Sequence, residues 1–467
     1  MNHAISRRRF LQSIGAGFGG LALGQILSAD SVSGSIINQV PKAKRVIQLF
    51  MNGGVSHMDT FDHKPVLAQL NGQKFDPGDG RLVESVTKSP GFKVLKSPFE
   101  FRQHGGCGRW VSEVLPHMAS VVDDLAFLMA MNSPTNVHGL GSYMQTTGFT
   151  LPGFPCLGAW ISYALGRINQ NLPEFIVMPD PKGLPYNNLG NFTSGFLPTR
   201  HQGTAINASD SSPVRYIFPP VEAKHINAAS EAASREVLGF LNRKHANQTK
   251  GDRRLESRIQ SLEMAARMQL SVPELFDIEG ESQAVRKLYG MDEKNTGDFA
   301  KRCILGRRML ERGVRFVQIW SGAGGPSKNW DNHANIDTEL PYMTRQVDKP
   351  VAGLIKDLKS RGMLEDTLVI WTTEFGRMPF SQGQAGRDHN GGTFVTWLAG
   401  GGVQGGATYG QSDQWGWKSE TGTNTHDMHA TILNLLGIDH EQLTVRHNGV
   451  DRRLTDVHGH VIRDILM

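Results

Sequence analysis

The chain has 467 residues and a formal net charge of +5, from 49 basic and 44 acidic residues. Charges of both signs are interspersed, and apart from an amino-terminal arginine cluster no Lys/Arg run suggests a nucleic-acid groove, so no nucleic-acid partner is expected. Cys107, Cys156 and Cys303 include no CxxC pair, which excludes a disulfide framework and a cysteine zinc site. The length suits one large α/β domain with insertions, or two domains.

The amino terminus has the features of an export signal. Ser6-Arg7-Arg8-Arg9-Phe10-Leu11 precedes a largely uncharged stretch, 14–27, which is shorter than the roughly 20 residues that a transmembrane helix needs. We predict a twin-arginine signal peptide over 1–29, recognised by the twin-arginine export machinery, and then a linker over 30–44. The protein is therefore expected in the periplasm or at the cell surface. An amphipathic amino-terminal helix is the alternative.

Apolar runs predict the elements of the first half. Strands are predicted over 45–51, 125–131 and 175–178, with a helix from about 139 to 147. The first strand ends at once in Asn52-Gly53-Gly54. Residues 183–220 are irregular and rich in Gly, Asn, Ser and Pro, which favours an insertion or a lid.

The second half alternates helices, strands and polar loops. Residues 228–275 mix charged and apolar residues at helical spacing and predict two helices, so the insertion is expected to span about 183–275. Beyond it, helices are predicted over 298–312 and 340–361, and strands over 314–320 and 367–372. This order indicates βαβ crossovers and a mostly parallel sheet, so the expected fold class is α/β.

Polar side chains follow three of the predicted strands. Ser56 and Asp59 come after the first strand, Asp331 and His333 after the penultimate one, and Glu374 after the last. In open α/β sheets, ligands bind outside the carboxyl ends of the strands. We therefore expect these side chains to converge on one site.

The candidate metal ligands combine two imidazoles with four carboxylates: Asp59, Asp331, His333, Glu374, Asp388 and His389. Sets of this kind suit zinc, manganese or iron, with calcium as a further candidate, and could hold one or two divalent ions. Arg377 and Arg387 are expected to hold the oxygens of an anion. The alternatives are a capping Asp331 beside a solvated His333, and an ion pair between Glu374 and Arg377.

Two residues are candidates for a catalytic role. His138 precedes a predicted helix whose amino terminus favours anions, and it could act as nucleophile, ligand or base. Capping of the loop by His138 is the structural alternative. Ser56 follows Gly53-Gly54-Val55, whose backbone amides could face an anion, but the pattern is not a GxSxG nucleophile elbow.

Seven ordered motifs resemble a known family: VIQLFMNGGVSHMDTFDHKP, HGLGSYMQTTG, PGFPCLGAWISYALG, NWDNH, TLVIWTTEFGRMP, GRDHNGG and DMHATILNLLGID. They are similar to the exported bacterial family called domain of unknown function 1501, from about residue 45 to 466. That family is placed beside sulfatases and alkaline phosphatases. The resemblance thus implies an alkaline-phosphatase-like three-layer α/β sandwich over 45–467, with a mostly parallel central sheet and loop and helical insertions.

Residue by residue, the resemblance implies an altered site. Metal-binding positions are matched by Asp331, His333 and His389. Asn52 stands where the wider superfamily has a strand-end Asp, and Phe375 replaces the His of its Asp-His-Gly. His138 falls at the place of the sulfatase nucleophile.

These observations lead to two functional hypotheses. The first is an exported, metal-dependent hydrolase of phosphate or sulfate esters, in which water or His138 attacks. The second is a non-catalytic protein that keeps the fold to bind an anionic polysaccharide or a partner at the cell surface. The ester and the oligomeric state are left open.

Overall fold

The computed structural model describes residues 36–37, 39–78, 92–208, 228–248, 259, 263–264, 274–325 and 328–467. The predicted signal peptide over 1–29 lies outside the described residues, as do parts of the linker and of the 183–275 segment. The export signal and the domain boundaries therefore stay predictions.

The described residues alternate strands and helices along the chain. Strands β1 to β17 span Arg45–Met51, Phe101–His104, Arg109–Ser112, Leu125–Asn132, Phe175–Met178, Thr204–Ala205, Phe316–Ser321, Thr367–Thr372, Gly376–Gln382, Gly386–Asn390, Phe394–Ala399, Thr408–Tyr409, Gln411–Ser412, Ser419–Thr421, Thr423–Asn424, Val445–His447 and Val450–Arg452. Helices α1 to α8 span Pro65–Gln69, His138–Thr147, Leu157–Leu165, Ala228–Gln248, Gln283–Tyr289, Gly297–Glu311, Ile336–Ser360 and Thr425–Leu435. Short 3-10 helices span His57–Asp59, Met118–Asp124, Asn188–Phe192, Thr199–His201, Ile278–Gly280 and Arg463–Ile465.

One large sheet organises the fold. Its strand order is β12-β4-β11-β8-β1-β7-β5-β6, and β15 pairs with β4 as a ninth strand. Strand β1 lies between β8 and β7 and is parallel to both, whereas β11 is antiparallel to both of its neighbours. The predicted mostly parallel sheet is confirmed.

The sheet is covered on both faces because its apolar side chains alternate. On β7, Val317 and Ile319 join a core that also contains residues of α6 and α7. The neighbouring Phe316 and Trp320 face the other side, in a core shared with α3 and α8. Strands buried on both faces read as continuous apolar runs, which is why the sequence revealed them. The three-layer α/β fold is therefore confirmed.

The polar segment after β8 contains two strands that no apolar run predicts. Strands β9 and β10 pair as an antiparallel hairpin. Every residue of β10 is buried. Arg377 and Arg387 are held by specific partners in the interior, and polar residues buried in this way do not show an apolar pattern.

Part of the predicted insertion belongs to the main sheet. Strand β6 lies at the edge of the sheet and pairs in parallel with β5, with Ile176 opposite Thr204. Among the described residues of 183–275, helix α4 also confirms one helical stretch. In the described part of the chain, the helices are too short or too polar to cross a bilayer.

Because His201 and His429 are buried, we expect the protein to lose stability in acid. His201 accepts a hydrogen bond at Nε2 from Arg200 (3.1 Å) and donates from Nδ1 to Ser162 Oγ (2.8 Å). His429 donates from Nε2 to the backbone oxygen of Gln145 (3.0 Å). Burial lowers the pKa of each imidazole to about 3.

Below pH 6.5 the unfolded chain binds a proton at each of these histidines and the folded chain does not, so stability falls as the pH falls from 6.5 toward 3. Between pH 6.5 and 5, each histidine should lower the free energy of unfolding by up to about 2 kcal/mol. Urea unfolding at several pH values measures this loss. His429→Gln should reduce it by one histidine's share, whereas His460→Ala, at an exposed position, should not. Equal pH slopes for His429→Gln and wild type would contradict the assignment.

Candidate metal centre

The site lies at the carboxyl ends of three adjacent parallel strands. Strands β1, β7 and β8 end next to one another, followed by Asn52, the loop to Asp331, and Glu374 respectively. Gly53 has φ 127°, and a Cβ there would lie 2.6 Å from the backbone nitrogen of Asp331. Glycine thus allows the two loops to approach each other. The hairpin β9–β10 adds His389, and the first turn of α2 adds His138.

Four side chains form a tight group of potential ligand atoms: His138, Asp331, His333 and His389. All these atoms lie within 4.8 Å of one another. The three imidazole Nε2 atoms lie 3.2 Å (His138), 2.7 Å (His333) and 3.1 Å (His389) from Asp331 Oδ1. Three imidazoles therefore converge on one carboxylate oxygen.

Each imidazole is oriented by an acceptor at its other nitrogen. Nδ1 of His138 lies 2.6 Å from Glu374 Oε1, and Nδ1 of His389 lies 2.8 Å from the backbone oxygen of Asn136. Nδ1 of His333 contacts Gln382 Oε1. Since these oxygens can only accept, Nδ1 carries the proton in each ring and the Nε2 lone pair points into the group. Partners of this kind fix the histidines of metal sites.

The residues fit a divalent metal ion. Nε2 of His138 is buried without a hydrogen-bond partner. Nε2 of His333 lies 2.7 Å from Nε2 of His389, so two lone pairs would face each other unless a cation or proton lies between them. Nitrogen and carboxylate donors of this number are the usual ligands of zinc and related ions.

The charges of the group are strongly coupled. Burial opposes ionisation of Asp331, but its close contacts with the three histidines and the charge of Arg377 outweigh it and hold the pKa of Asp331 far below its usual range. Burial, above all, lowers the pKa of His389 to about 4, which keeps this imidazole neutral at pH 7. For His138, burial lowers the pKa, but the neighbouring carboxylates of Asp331 and Glu374 outweigh it and raise the pKa. A proton would therefore compete with a metal ion at His138.

Glu374, predicted as a ligand, contacts the ligand residue His138 by a hydrogen bond. Its carboxylate is fully buried and accepts hydrogen bonds from the backbone nitrogen of Gly53 (2.8 Å), Nδ1 of His138 (2.6 Å) and Thr373 Oγ1 (3.1 Å). It does not belong to the group of converging ligand atoms. Glu374 thus orients the His138 imidazole.

Three other predicted site residues lie in a separate buried cluster. Asp59 receives two hydrogen bonds from Arg387, at 2.6 and 3.1 Å, and a third from the hydroxyl of Ser56. All three side chains are fully buried. In this cluster Ser56 and Arg387 both donate to Asp59, and none of the three residues belongs to the group of converging ligand atoms.

Arg377 and Asp388, two further predicted site residues, have hydrogen-bond partners within the protein. Arg377 is fully buried and donates to Asp331 Oδ1 (2.6 Å) and to the backbone oxygens of Gly54 (2.7 Å) and Arg387 (3.0 Å). Its guanidinium is thus engaged within the protein and not presented to an anion. Asp388 is buried, accepts from the backbone nitrogen of His389 (2.8 Å) and is not part of the ligand group.

Several residues around the group had no recognisable signal in the sequence. Gln382 and Asn136 orient imidazoles, yet both lie in polar segments without a motif. The Tyr186 ring stacks on His138 at 4.4 Å with an interplanar angle of 4°, although it belongs to the irregular 183–220 stretch. Only proximity in the fold identifies them.

A cavity of about 290 Å³ opens beside Asp331. Its wall is formed by Lys328, Asn329, Asp331, Asn332, Thr338, Glu339 and Tyr342. The Lys182 ammonium lies 5.3 Å from the centre of the Tyr342 ring. Of the four residues of the ligand group, Asp331 lines this cavity.

Gly386 ties the hairpin to the loop that carries His333. A Cβ at Gly386 would lie 1.7 Å from the backbone oxygen of His333, so Gly386→Ala must displace one of the two segments. We expect a loss of about 1–3 kcal/mol in the free energy of unfolding, together with weaker metal binding. Urea unfolding and zinc titration measure both effects. Gly106→Ala is the matched control, since its Cβ would meet only side-chain atoms at 3.8 Å or more. Equal stability and zinc affinity in the two variants would contradict the prediction.

The chain is similar in sequence to one family. The family described as "Protein of unknown function (DUF1501)" matches residues 43–466. This span agrees with the range of about 45 to 466 expected from the resemblance. Among curated proteins, none matches the chain.

Several solved structures are similar in fold at low identity. The lipoteichoic acid synthase LtaP from Listeria monocytogenes has a TM-score of 0.37 and 10% identity, over 91% of this chain and 77% of its own. The PsFucS1 sulfatase from Pseudoalteromonas sp. has a TM-score of 0.34 and 11% identity, over 93% and 77%. The alkaline phosphatase from the Antarctic bacterium TAB5 has a TM-score of 0.32 and 10% identity, over 85% and 99%.

Proposed function

We propose that this chain, which belongs to the DUF1501 family, is a metal-dependent hydrolase of phosphate or sulfate esters. It would act in the periplasm or at the cell surface. The observation that carries this proposal is the convergence of three oriented imidazoles on Asp331 Oδ1. Such preorganisation of buried ligands is typical of functional metal sites.

The ion would be held by His138, Asp331, His333 and His389. A divalent ion there would supply Lewis-acid activation of water and of an ester oxygen. The side chain of His333 is 27% exposed, so the group is accessible from solvent. The substrate would enter through the cavity beside Asp331, whose wall carries the ammonium of Lys328 as well as the carboxylates of Asp331 and Glu339.

Water is the proposed nucleophile. Ser56 is buried and donates its hydroxyl proton to Asp59, and His138 is fixed between Glu374 and Asp331. Neither side chain is placed to form a covalent intermediate with a substrate in the cavity. The role of His138 is then to hold the ion, while Glu374 keeps its ring in position.

The proposed location rests on the amino-terminal sequence. The Arg7-Arg8-Arg9 cluster followed by a short apolar stretch is typical of twin-arginine signals. Export in the folded state is compatible with a metal ion bound before transport.

A non-catalytic role is the second candidate, and one observation favours it. Arg377 and Arg387 direct their guanidinium groups at protein acceptors, so neither is presented to the charge that develops during ester hydrolysis. The protein would then use its metal ion and cavity to bind an anionic polysaccharide or another anionic partner without turnover.

Ester turnover by the purified chain separates the two. Aryl phosphate and aryl sulfate are offered to the zinc-loaded protein, to the chelator-treated protein and to His460→Ala as a control outside the ligand group. Turnover that is lost with the metal and kept in His460→Ala supports the hydrolase. A protein that binds stoichiometric metal, stays folded and hydrolyses neither ester supports the binding role instead.

A further inference from the structure

We infer, as a deepening of the proposed function, that this site holds a single ion of the zinc class, with Arg377 and Phe375 filling the space that a second ion would need. The inference concerns the number and chemical class of the ions and rests on the side chains that surround the ligand group.

The donor set selects the class of ion. Three of the four converging ligand atoms are imidazole nitrogens, and the fourth is a carboxylate oxygen. Calcium and magnesium prefer sites built entirely of oxygen ligands, whereas imidazole suits zinc and its transition-metal neighbours. The geometry therefore disfavours calcium, one of the candidates that the sequence left open.

Arg377 supplies a fixed positive charge next to the group. Its Nη2 lies 2.6 Å from Asp331 Oδ1, the same oxygen on which the imidazoles converge. The guanidinium is fully buried and is anchored to the backbone oxygens of Gly54 and Arg387. A second dication bridged by Asp331 would meet this charge at close range in a medium that screens poorly.

The apolar ring of Phe375 occupies the space on another side of the ligand group. Its ring centre lies 4.8 Å from those of both His138 and His389, and the residue is fully buried. Its packing is tight, because a Cβ at Gly54 would lie 2.8 Å and one at Gly141 3.2 Å from the ring. A metal ion has no donor atom to bind on this side.

The nearby carboxylates are already engaged. Glu374 accepts hydrogen bonds from Gly53 and His138, and Asp59 is paired with Arg387. Within the described ranges, no second group of three or more converging ligand atoms was found. A second ion would have to displace these partners.

Metal titration of the full chain tests the inference without reference to activity. The protein is stripped with a chelator, its fold is checked by circular dichroism, and bound zinc is measured by calorimetry and elemental analysis. We expect one equivalent of zinc, unchanged in His460→Ala and lost in His389→Ala. About a hundredfold excess of calcium should leave the zinc in place.

Two tightly bound equivalents, or displacement of zinc by calcium, would overturn the inference, and so would the absence of binding to the folded protein. The outcome is separable from that of the proposed function. One equivalent of zinc without ester turnover would support this inference and reject the hydrolase.

Discussion

His389→Ala is expected to lower zinc affinity and ester kcat/KM by more than about 100-fold. Mutation of a residue that only hydrogen-bonds to a metal ligand already lowers metal affinity or activity by about 10–100-fold. His389 places Nε2 at 3.1 Å from Asp331 Oδ1 and 2.7 Å from Nε2 of His333. Its removal deletes one of four converging donors and opens the group to water. Zinc titration and steady-state kinetics measure the two losses.

A second variant distinguishes a metal ligand from a residue that only orients a ligand. Gln382→Ala removes only the acceptor at Nδ1 of His333, so we expect zinc affinity and ester kcat/KM to fall by about 10–100-fold. His460→Ala removes an exposed imidazole outside the group and should leave both quantities unchanged. Wild-type zinc affinity in a folded His389→Ala protein would refute the metal centre.

Arg387→Met is expected to destabilise the protein by about 3–5 kcal/mol, since it leaves the charge of Asp59 buried without its partner. Both side chains are fully buried, and their two hydrogen bonds measure 2.6 and 3.1 Å. Chemical unfolding of the zinc-free proteins gives the loss directly. Zinc is left out so that metal binding does not add to the measured stability.

The double variant Asp59→Asn with Arg387→Met tests the cause. Removing both charges should be less destabilising than the sum of the two single changes, because neither charge is left unpaired. Additive losses would show that the pair does not act as a unit. Wild-type stability of Arg387→Met combined with loss of ester turnover would instead restore the sequence-based role of Arg387 in anion binding.

The strands of the sheet could be predicted well because their pattern is local. The apolar runs at 45–51, 175–178 and 367–372 coincide with β1, β5 and β8 residue for residue. Burial on both faces demands apolar side chains at every position, so the chain itself carries the signal. The hairpin β9–β10 has no such pattern, since its buried polar residues are stabilised by distant partners.

The candidate site, like the fold, was predicted in part from the sequence. Its residue types and their position after strands follow from the sequence, which also indicated the family. The sequence did not determine which carboxylates approach the imidazoles. Asp59, Glu374 and Asp388 were all reasonable ligands by composition, yet Arg387 neutralises Asp59 and His138 turns toward Glu374.

The sequence by itself thus determined the α/β fold, the family and the supply of His and Asp side chains at strand ends. The tertiary structure alone decided that His138 joins Asp331, His333 and His389 while the arginines are bound internally. The physical reason is that strand formation depends on local burial, which each segment encodes. A ligand group depends on distances of a few ångströms between segments up to about 250 residues apart, and only the packing of the whole chain sets those distances.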